Sequence, residues 1–185
     1  MLLVVWVALA AGAVALVTVG PVEASPAGFA DALRSTGAWG WAVFAGWLCA
    51  RGVLLLPSTP MLLAGAVAFA DRPWAAVAVA MVGVVVSAWL VYALADRVGL
   101  GAYLEHRFPE KLASFRDRLD SRKGTLGVAL WAGNPFVPTS LVCYVAGLAH
   151  ADVRRYLLGV TAGELPLVVL YLVGGAAVAG RFLPL

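Results

Sequence analysis

Residues 38–70 read AWGWAVFAGWLCARGVLLLPSTPMLLAGAVAFA, an apolar run of 33 residues that contains one charge, Arg51. A membrane-spanning helix needs about 20 apolar residues, and two need about 40 plus a turn. Pro57 and Pro60 lie past the middle of the run, where a proline ends or kinks a helix. The length therefore favours a re-entrant hairpin, which enters the membrane, breaks at the prolines and returns to the side it came from. Broken backbone at that depth must be buried in protein or line a wet cavity.

The composition of the whole chain agrees with a membrane location. Of the 185 residues, 63% are hydrophobic and 12% are charged, with a mean hydropathy of +0.93. Soluble domains are near half apolar and about a quarter charged. The composition therefore excludes a soluble enzyme, a disordered tail and a nucleic-acid reader, and no nucleic acid is expected as a partner.

A second apolar run repeats the design of the first. Residues 124–149 carry no charge and are interrupted by the sequence NPFVP at 134–138. Each broken run is followed by a predicted spanning helix, and the charged linker 96–123 joins the two halves. Matching halves with interrupted segments are typical of inverted-repeat transporters. We predict an all-α integral membrane protein in which residues 38–180 form an inverted repeat of re-entrant hairpin plus transmembrane helix, with repeats at 38–95 and 124–180.

The N-terminal segment is predicted to add a further helix. Residues 2–19 are apolar and nearly long enough to cross a membrane, so residues 1–37 are interpreted as a transmembrane helix and an external loop. A signal peptide cleaved near residues 22–24 is the alternative. The absence of Lys or Arg before the apolar stretch favours the retained helix.

The basic residues predict the orientation. If both hairpins re-enter, the linker and the turn at 150–155 hold nine Lys and Arg on one side, against Arg34, Arg72 and Arg181 on the other. Cytoplasmic loops carry the excess of basic residues. We therefore expect a multi-pass protein of the cell inner membrane with a cytoplasmic N-terminus and linker. The first hairpin then enters from outside and the second from the cytoplasm.

Local patterns predict smaller features. Leu112, Phe115 and Leu119 form an apolar helix face, which suits either an interfacial helix or a solvated linker helix. Small residues four positions apart predict close helix packing at Gly83 and Ser87 and at Gly159 and Gly163. Aromatic residues near the ends of apolar runs are predicted interface anchors: Trp39, Trp41, Trp74 and Tyr156.

Arg51 and Glu164 are the ionisable residues, apart from Tyr and Cys, that these segments place at depth. A charge at the bilayer centre costs about 3 kcal/mol on insertion scales, so such residues are usually paired and functional. In the functional interpretation Arg51 contacts a phosphate headgroup, and Glu164 balances it or carries a proton. The alternatives are a structural ion pair or snorkelling from a shallower depth. We predict that both face one shared polar cavity.

The breaks free backbone groups and polar side chains that either bind a headgroup or only satisfy the broken helix ends. The candidate substrate-binding residues are Arg51, Pro57, Ser58, Thr59, Pro60, Asn134, Pro135, Pro138, Thr139, Ser140 and Glu164. The sequence has no metal-ligand spacing and no nucleophile–base set, so we predict no metal, no cofactor and no enzymatic activity.

The motifs at the breaks resemble those of a known family. The stretch at 57–60 with MLLAG at 61–65 resembles the first signature of the DedA/VTT-domain proteins, also called the SNARE-associated Golgi protein family. Residues 134–138, 143–148 and 163–166 resemble its second signature, and the likeness covers about 38–175. The resemblance implies two facing re-entrant loops and movement of lipids between leaflets, including polyprenyl-phosphate carriers and phospholipids. Many relatives have an Arg where this chain has Ala132.

We therefore predict a lipid transporter, flippase or scramblase that moves phospholipid or polyprenyl-phosphate headgroups between leaflets. Its predicted partners are membrane lipids that bear phosphate. The sequence leaves open whether the protein forms a homo-oligomer. The alternative is a non-transporting scaffold or assembly factor. An intramembrane enzyme ranks third, because Glu164 has no nucleophile or metal ligand beside it.

Overall fold

The computed structural model describes residues 26–54, 58–95, 106–107, 109–135 and 137–182. These residues form helices joined by short turns, and no strand occurs among them, so the predicted all-α class is confirmed. The predicted N-terminal transmembrane helix at 2–19 lies outside the described residues.

The helices follow the two halves of the sequence. Residues 26–95 form α1 (Pro26–Ser35), α2 (Trp39–Ala50), α3 (Thr59–Ala68) and α4 (Pro73–Leu94). Residues 109–182 form α5 (Pro109–Leu119), α6 (Arg122–Ala132), α7 (Thr139–Leu148), α8 (Val153–Val169), a π-helical turn (Leu170–Gly174) and α9 (Gly175–Phe182).

Both apolar runs break at their prolines. Helix α3 begins at Thr59 with Pro60 in its first turn, a position where the missing N–H costs no helical hydrogen bond. Helix α7 begins directly after Pro138, whose backbone is extended. Each broken run therefore consists of two short helices, called here its first and second arm: α2 and α3 in the first run, α6 and α7 in the second. These arms are 12, 10, 11 and 10 residues long. An arm of this length measures about 15–18 Å, too short to cross the hydrocarbon core.

Two boundaries differ from the sequence interpretation. The segment predicted as an external loop contains α1, whose Ala30 and Leu33 are buried on one face. Helix α6 begins at Arg122, two residues before the predicted start of the second repeat. It begins there because the Ser121 hydroxyl accepts a hydrogen bond from the Gly124 N–H at 3.0 Å, which caps the helix.

Two helices among the described residues are long and apolar enough to span a membrane. Helix α4 has 22 residues, and the helix formed by α8, the π-helical turn and the start of α9 extends over 26 residues, Val153–Val178. The second of these is not the uniform helix that the sequence predicted. Pro166 removes one N–H donor from α8, and the π-helical turn follows four residues later.

The small-residue spacing in the first half packs α2 against α4, as predicted. Gly83 faces Leu48, and a Cβ on Gly83 would lie 2.7 Å from the Leu48 Cβ. One turn further along, the Ser87 hydroxyl accepts a hydrogen bond from the Gly52 N–H at 2.9 Å.

The spacing in the second half packs α6 against α8, also as predicted. A Cβ on Gly159 would lie 2.8 Å from the Thr125 carbonyl oxygen, and a Cβ on Gly163 would overlap the Ala129 carbonyl. The two helices therefore meet backbone to backbone, which only glycine permits.

The two ends of the first broken run lie side by side. The ring of Trp41, near the start of α2, stacks on Phe69 at the end of α3, with centroids 3.9 Å apart. Arg34 of α1 donates to the Val67 carbonyl at 2.7 Å. Helix α2 thus begins, and helix α3 ends, at the same end of the molecule, called here the α1 end.

The two ends of the second broken run also lie together. Arg116 donates to the Ala149 carbonyl at 2.5 Å, and the Asp120 carboxylate accepts from the Asp152 N–H at 2.6 Å. This end of the molecule, called the α5 end, is also where α4 finishes, because the Tyr92 hydroxyl donates to the Ala151 carbonyl at 2.7 Å.

Helix α8 runs in the opposite direction to α4. It starts at the α5 end, where the Asp152 carboxylate accepts from the N–H groups of Arg154 and Arg155 at 2.9 and 3.0 Å. The hydrogen bond from Arg155 in particular holds the pKa of Asp152 below its usual range. The following π-helical turn brings Leu172 to Gly65 of α3.

One predicted interface anchor belongs to the core. Tyr156 is 3% exposed, its hydroxyl donates to the Ala88 carbonyl at 3.2 Å, and its ring stacks on Tyr92. A buried tyrosine needs such a hydrogen-bond partner, and the α4 backbone supplies it. Trp39 and Trp74 are 76% and 64% exposed.

Candidate functional site

The two broken runs meet at a cavity of about 580 Å³ in which most of the candidate residues lie together. It receives side chains from both breaks, from the starts of α3 and α7, and from one face of α8. The candidate residues that line it are Arg51, Ser58, Thr59, Asn134, Pro135, Pro138, Thr139, Ser140 and Glu164.

One described candidate residue is not among the lining, and another candidate lies outside the described residues. Pro60 lies in the first turn of α3, where it starts the helix, and is not part of the cavity wall. Pro57 lies outside the described residues. The other two candidate prolines, Pro135 and Pro138, do line the cavity.

Arg51 and Glu164 form a buried ion pair at this cavity. The Arg51 Nη2 lies 2.8 Å from the Glu164 Oε1, and the two side chains are 10% and 6% exposed. The residues are 113 positions apart in the sequence. Their predicted proximity is confirmed, and so is their position on one cavity. A role in binding a substrate stays a prediction.

Thr139 joins the same carboxylate. Its hydroxyl, on the first residue of α7, donates to Glu164 Oε1 at 2.8 Å. The carboxylate therefore accepts hydrogen bonds from both halves of the molecule, and the one from Arg51 is strengthened by charge. This network ties the end of α2 and the start of α7 to the middle of α8.

Local packing explains why these two charges can meet. Arg51 directly follows α2, and the next residue, Gly52, approaches α4 so closely that its Cβ would lie 2.5 Å from the Ser87 hydroxyl. Glu164 directly follows Gly163, where α8 touches the α6 backbone. Each charge therefore lies beside a tight helix contact that fixes its position, and the pairing offsets the cost of burying it.

Six further lining residues were not among the candidate substrate-binding residues of the sequence analysis. Leu167 and Tyr171 lie three and seven positions after Glu164, so helical periodicity places them on the same face and would have identified them. Leu62 likewise follows Thr59 by three positions. The remaining residues lie at or beside the second break: Ala132, Val137 and Leu141.

The chemistry available to the cavity is ionic and hydrogen-bonding. Its described lining has a guanidinium, a carboxylate, hydroxyl groups and the Asn134 amide. In the part of the chain that the structure describes, no three His, Cys, Asp or Glu residues lie close enough to hold a metal ion. The arrangement is suited to holding a charged polar group by contacts that require no covalent step.

Comparison with known proteins identifies one family. The family model described as the VTT domain matches residues 56–177, more than half of the 185-residue chain. The match includes Glu164 and the whole second break, whereas Arg51 and α2 precede it. No curated protein and no solved structure matches the chain.

Proposed function

Because the chain belongs to the VTT domain family of membrane proteins, we propose that it moves lipid headgroups bearing phosphate between the two leaflets. The observation that carries this proposal is the cavity at which both breaks meet around the Arg51–Glu164 pair. A phosphate crossing the hydrocarbon core alone pays the full cost of desolvation. The guanidinium and hydroxyl groups of the cavity replace part of its hydration shell and lower that cost.

The cavity is also suited to a molecule that keeps its acyl chains in lipid. Leu141 lines the cavity and is 53% exposed, so the wall reaches the outer surface of the helix bundle. Trp131, 42% exposed, donates from its indole N–H to the Pro138 carbonyl at the break. While the headgroup of a lipid occupies the cavity, the acyl chains of the same lipid would lie against these apolar residues.

The helix-end contacts support two re-entrant hairpins. The ends of α2 and α3 adjoin at the α1 end, where Trp41 stacks on Phe69. The start of α6 and the end of α7 adjoin at the α5 end, where the Asp120 carboxylate accepts a hydrogen bond from the Asp152 N–H. Both breaks nevertheless reach the same cavity. Two hairpins that enter the membrane from opposite faces and meet midway account for both helix-end contacts and for the shared cavity.

The long helices support an inverted repeat. Helix α4 leads from the α1 end to the α5 end, and α8 leads back. Each hairpin followed by its long helix is then related to the other by a half-turn about an axis in the membrane plane. With the basic linker in the cytoplasm of the cell, the α5 end faces inward and the N-terminus is cytoplasmic at the inner membrane.

A leaflet-translocation assay tests the proposal. Purified protein is reconstituted into liposomes with acyl-labelled phospholipids or a labelled polyprenyl phosphate, and movement is followed by chemical quenching of the outer leaflet. We expect faster movement than in protein-free liposomes. Asn134→Ala, at the exposed tip of the second break, should slow it. The matched control is Arg72→Gln, whose side chain is 72% exposed.

The outcome separates the candidate functions. If the wild-type protein moves none of these lipids faster than protein-free liposomes, the transport proposal is wrong and a scaffold or assembly role is favoured. Mass spectrometry of the recovered lipids completes the test. We expect unaltered molecules, whereas a modified headgroup would indicate an intramembrane enzyme.

A further inference from the structure

The charges that line the cavity are balanced. Among the described lining residues, Arg51 is the one cation and Glu164 the one acid, and the others are neutral. The residues of the two breaks that lie outside the described ranges are Leu55, Leu56, Pro57 and Phe136, which carry no ionisable group. The described lining therefore has no net charge while its ion pair is intact.

A neutral site treats headgroups of different charge differently. An anionic headgroup such as phosphoglycerol adds one negative charge that nothing in the described lining compensates, and a phosphate monoester adds up to two. An uncompensated charge in a low-dielectric site is costly. A headgroup with one phosphate and one ammonium leaves the site neutral.

We infer that the cavity selects zwitterionic phospholipids, such as phosphatidylethanolamine, over anionic phospholipids and polyprenyl phosphates. This inference rests on the proposed function. Arg51 and Glu164 are joined through Nη2 and Oε1. A guanidinium has five N–H donors and a carboxylate has two acceptor oxygens. The phosphate can therefore bind the guanidinium and the ammonium can bind the carboxylate without separating the ion pair.

The four charges then alternate in sign around the site. Each ionic group of the lipid lies beside a protein group of opposite charge, and the protein pair remains in place. The hydroxyls of Ser58, Thr59 and Ser140 add hydrogen bonds without adding charge. The cavity volume of about 580 Å³ lies within the usual range of small-ligand sites.

The experiment measures a ratio of rates in the same liposomes. Acyl-labelled phosphatidylethanolamine and phosphatidylglycerol are compared, so both headgroups stay intact. We expect the wild-type protein to move phosphatidylethanolamine faster by a factor on the order of ten or more. Glu164→Gln keeps the size of the side chain and leaves a net positive site, so the preference should reverse. Asp71→Asn removes a carboxylate that is 70% exposed and should leave the ratio unchanged.

A second variant covers the event that Glu164→Gln does not fold. Thr59→Lys adds a cation at an exposed position of the cavity lining and leaves the ion pair untouched. It should also shift the ratio toward phosphatidylglycerol. Uptake of water-soluble phosphoethanolamine distinguishes a lipid substrate from a free zwitterion. We expect no uptake above protein-free liposomes, and uptake comparable to lipid movement would contradict a lipid substrate.

The results distinguish the inference from the function on which it rests. A wild-type protein that moves phosphatidylglycerol as fast as phosphatidylethanolamine overturns the inference and leaves lipid transport standing. An unchanged ratio in folded Glu164→Gln or Thr59→Lys does the same. A wild-type protein that moves no lipid overturns the proposed function itself.

Discussion

The two halves of the molecule share a helix arrangement but place different residues in it. In both, the first arm packs on the long helix of its own half, and the second arm packs on the long helix of the other half. Gly65 of α3 approaches Leu172, and Gly147 of α7 approaches the Tyr92 carbonyl of α4. The exchange of second arms joins the halves into one core.

The charged residues do not follow this correspondence. Arg51 precedes the residue that contacts Ser87, and the matching position in α6, judged by its contact with Gly163, is occupied by buried Val128. Glu164 follows Gly163, whereas buried Ala88 follows Ser87 in α4. Each half thus supplies one charge at a position where the other is apolar. The two halves therefore build an asymmetric site, in which the ion pair crosses between them.

The largest effect should come from breaking that ion pair. We expect Arg51→Met and Glu164→Gln each to lower the free energy of unfolding by about 3–5 kcal/mol, because each leaves a buried partner uncompensated. The double variant should lose less than the sum. Unfolding in detergent, followed by circular dichroism, measures all three.

The exposed pair of Arg72 and Asp71 provides the control cycle. Its atoms lie 3.4 Å apart and its side chains are 72% and 70% exposed, so we expect a coupling between about 0 and 1 kcal/mol. Additive losses at Arg51 and Glu164 would contradict a direct pairing between the two halves.

The next effect concerns how the arms pack in each half. Gly163→Ala should cost about 2–3 kcal/mol, because its Cβ overlaps the Ala129 carbonyl and the backbone cannot move aside cheaply. Gly83→Ala, which meets the Leu48 side chain, should cost less. Gly127→Ala, where an added Cβ would meet no described atom outside its own stretch of helix, is the control and should not destabilise the protein. Thermal unfolding of the purified variants ranks them, and an equal loss for all three would refute the backbone contact.

The smallest effect distinguishes the ends of the second arms. Helix α7 is followed by Ala149 and then by His150, whose φ of 51° is a left-handed conformation that favours glycine. The matching second residue after α3 is Ala70, and among the described residues only His150 and Gly37 have a positive φ. His150→Gly should raise the free energy of unfolding by about 1 kcal/mol. Ala70→Gly, at the matching position without a positive φ, should lower it slightly. His150→Ala shows whether the gain comes from the backbone: it should bring none, and an equal gain would point to the imidazole instead.

Much of the fold could be predicted because its signals are local. Hydropathy identified α4 and α8, the prolines identified both breaks, and the spacing of Gly159 and Gly163 identified a helix contact. The amphipathic pattern of α1 was equally local and was missed, because prolines and charges around it resembled a loop. Helical spacing from Glu164 would also have added Tyr171 to the site.

The sequence by itself determined that this chain is apolar, helical and twice interrupted, and that Arg51 and Glu164 are charges in need of a partner. Tertiary structure decided that Arg51 and Glu164 are partners of each other and that Thr139 binds the same oxygen of the Glu164 carboxylate. It also decided that Tyr156 lies in the core rather than at a membrane interface. The physical reason is range. Periodicity and proline act over a few residues, whereas Arg51 and Glu164 are 113 positions apart and meet only after both breaks have packed around α8.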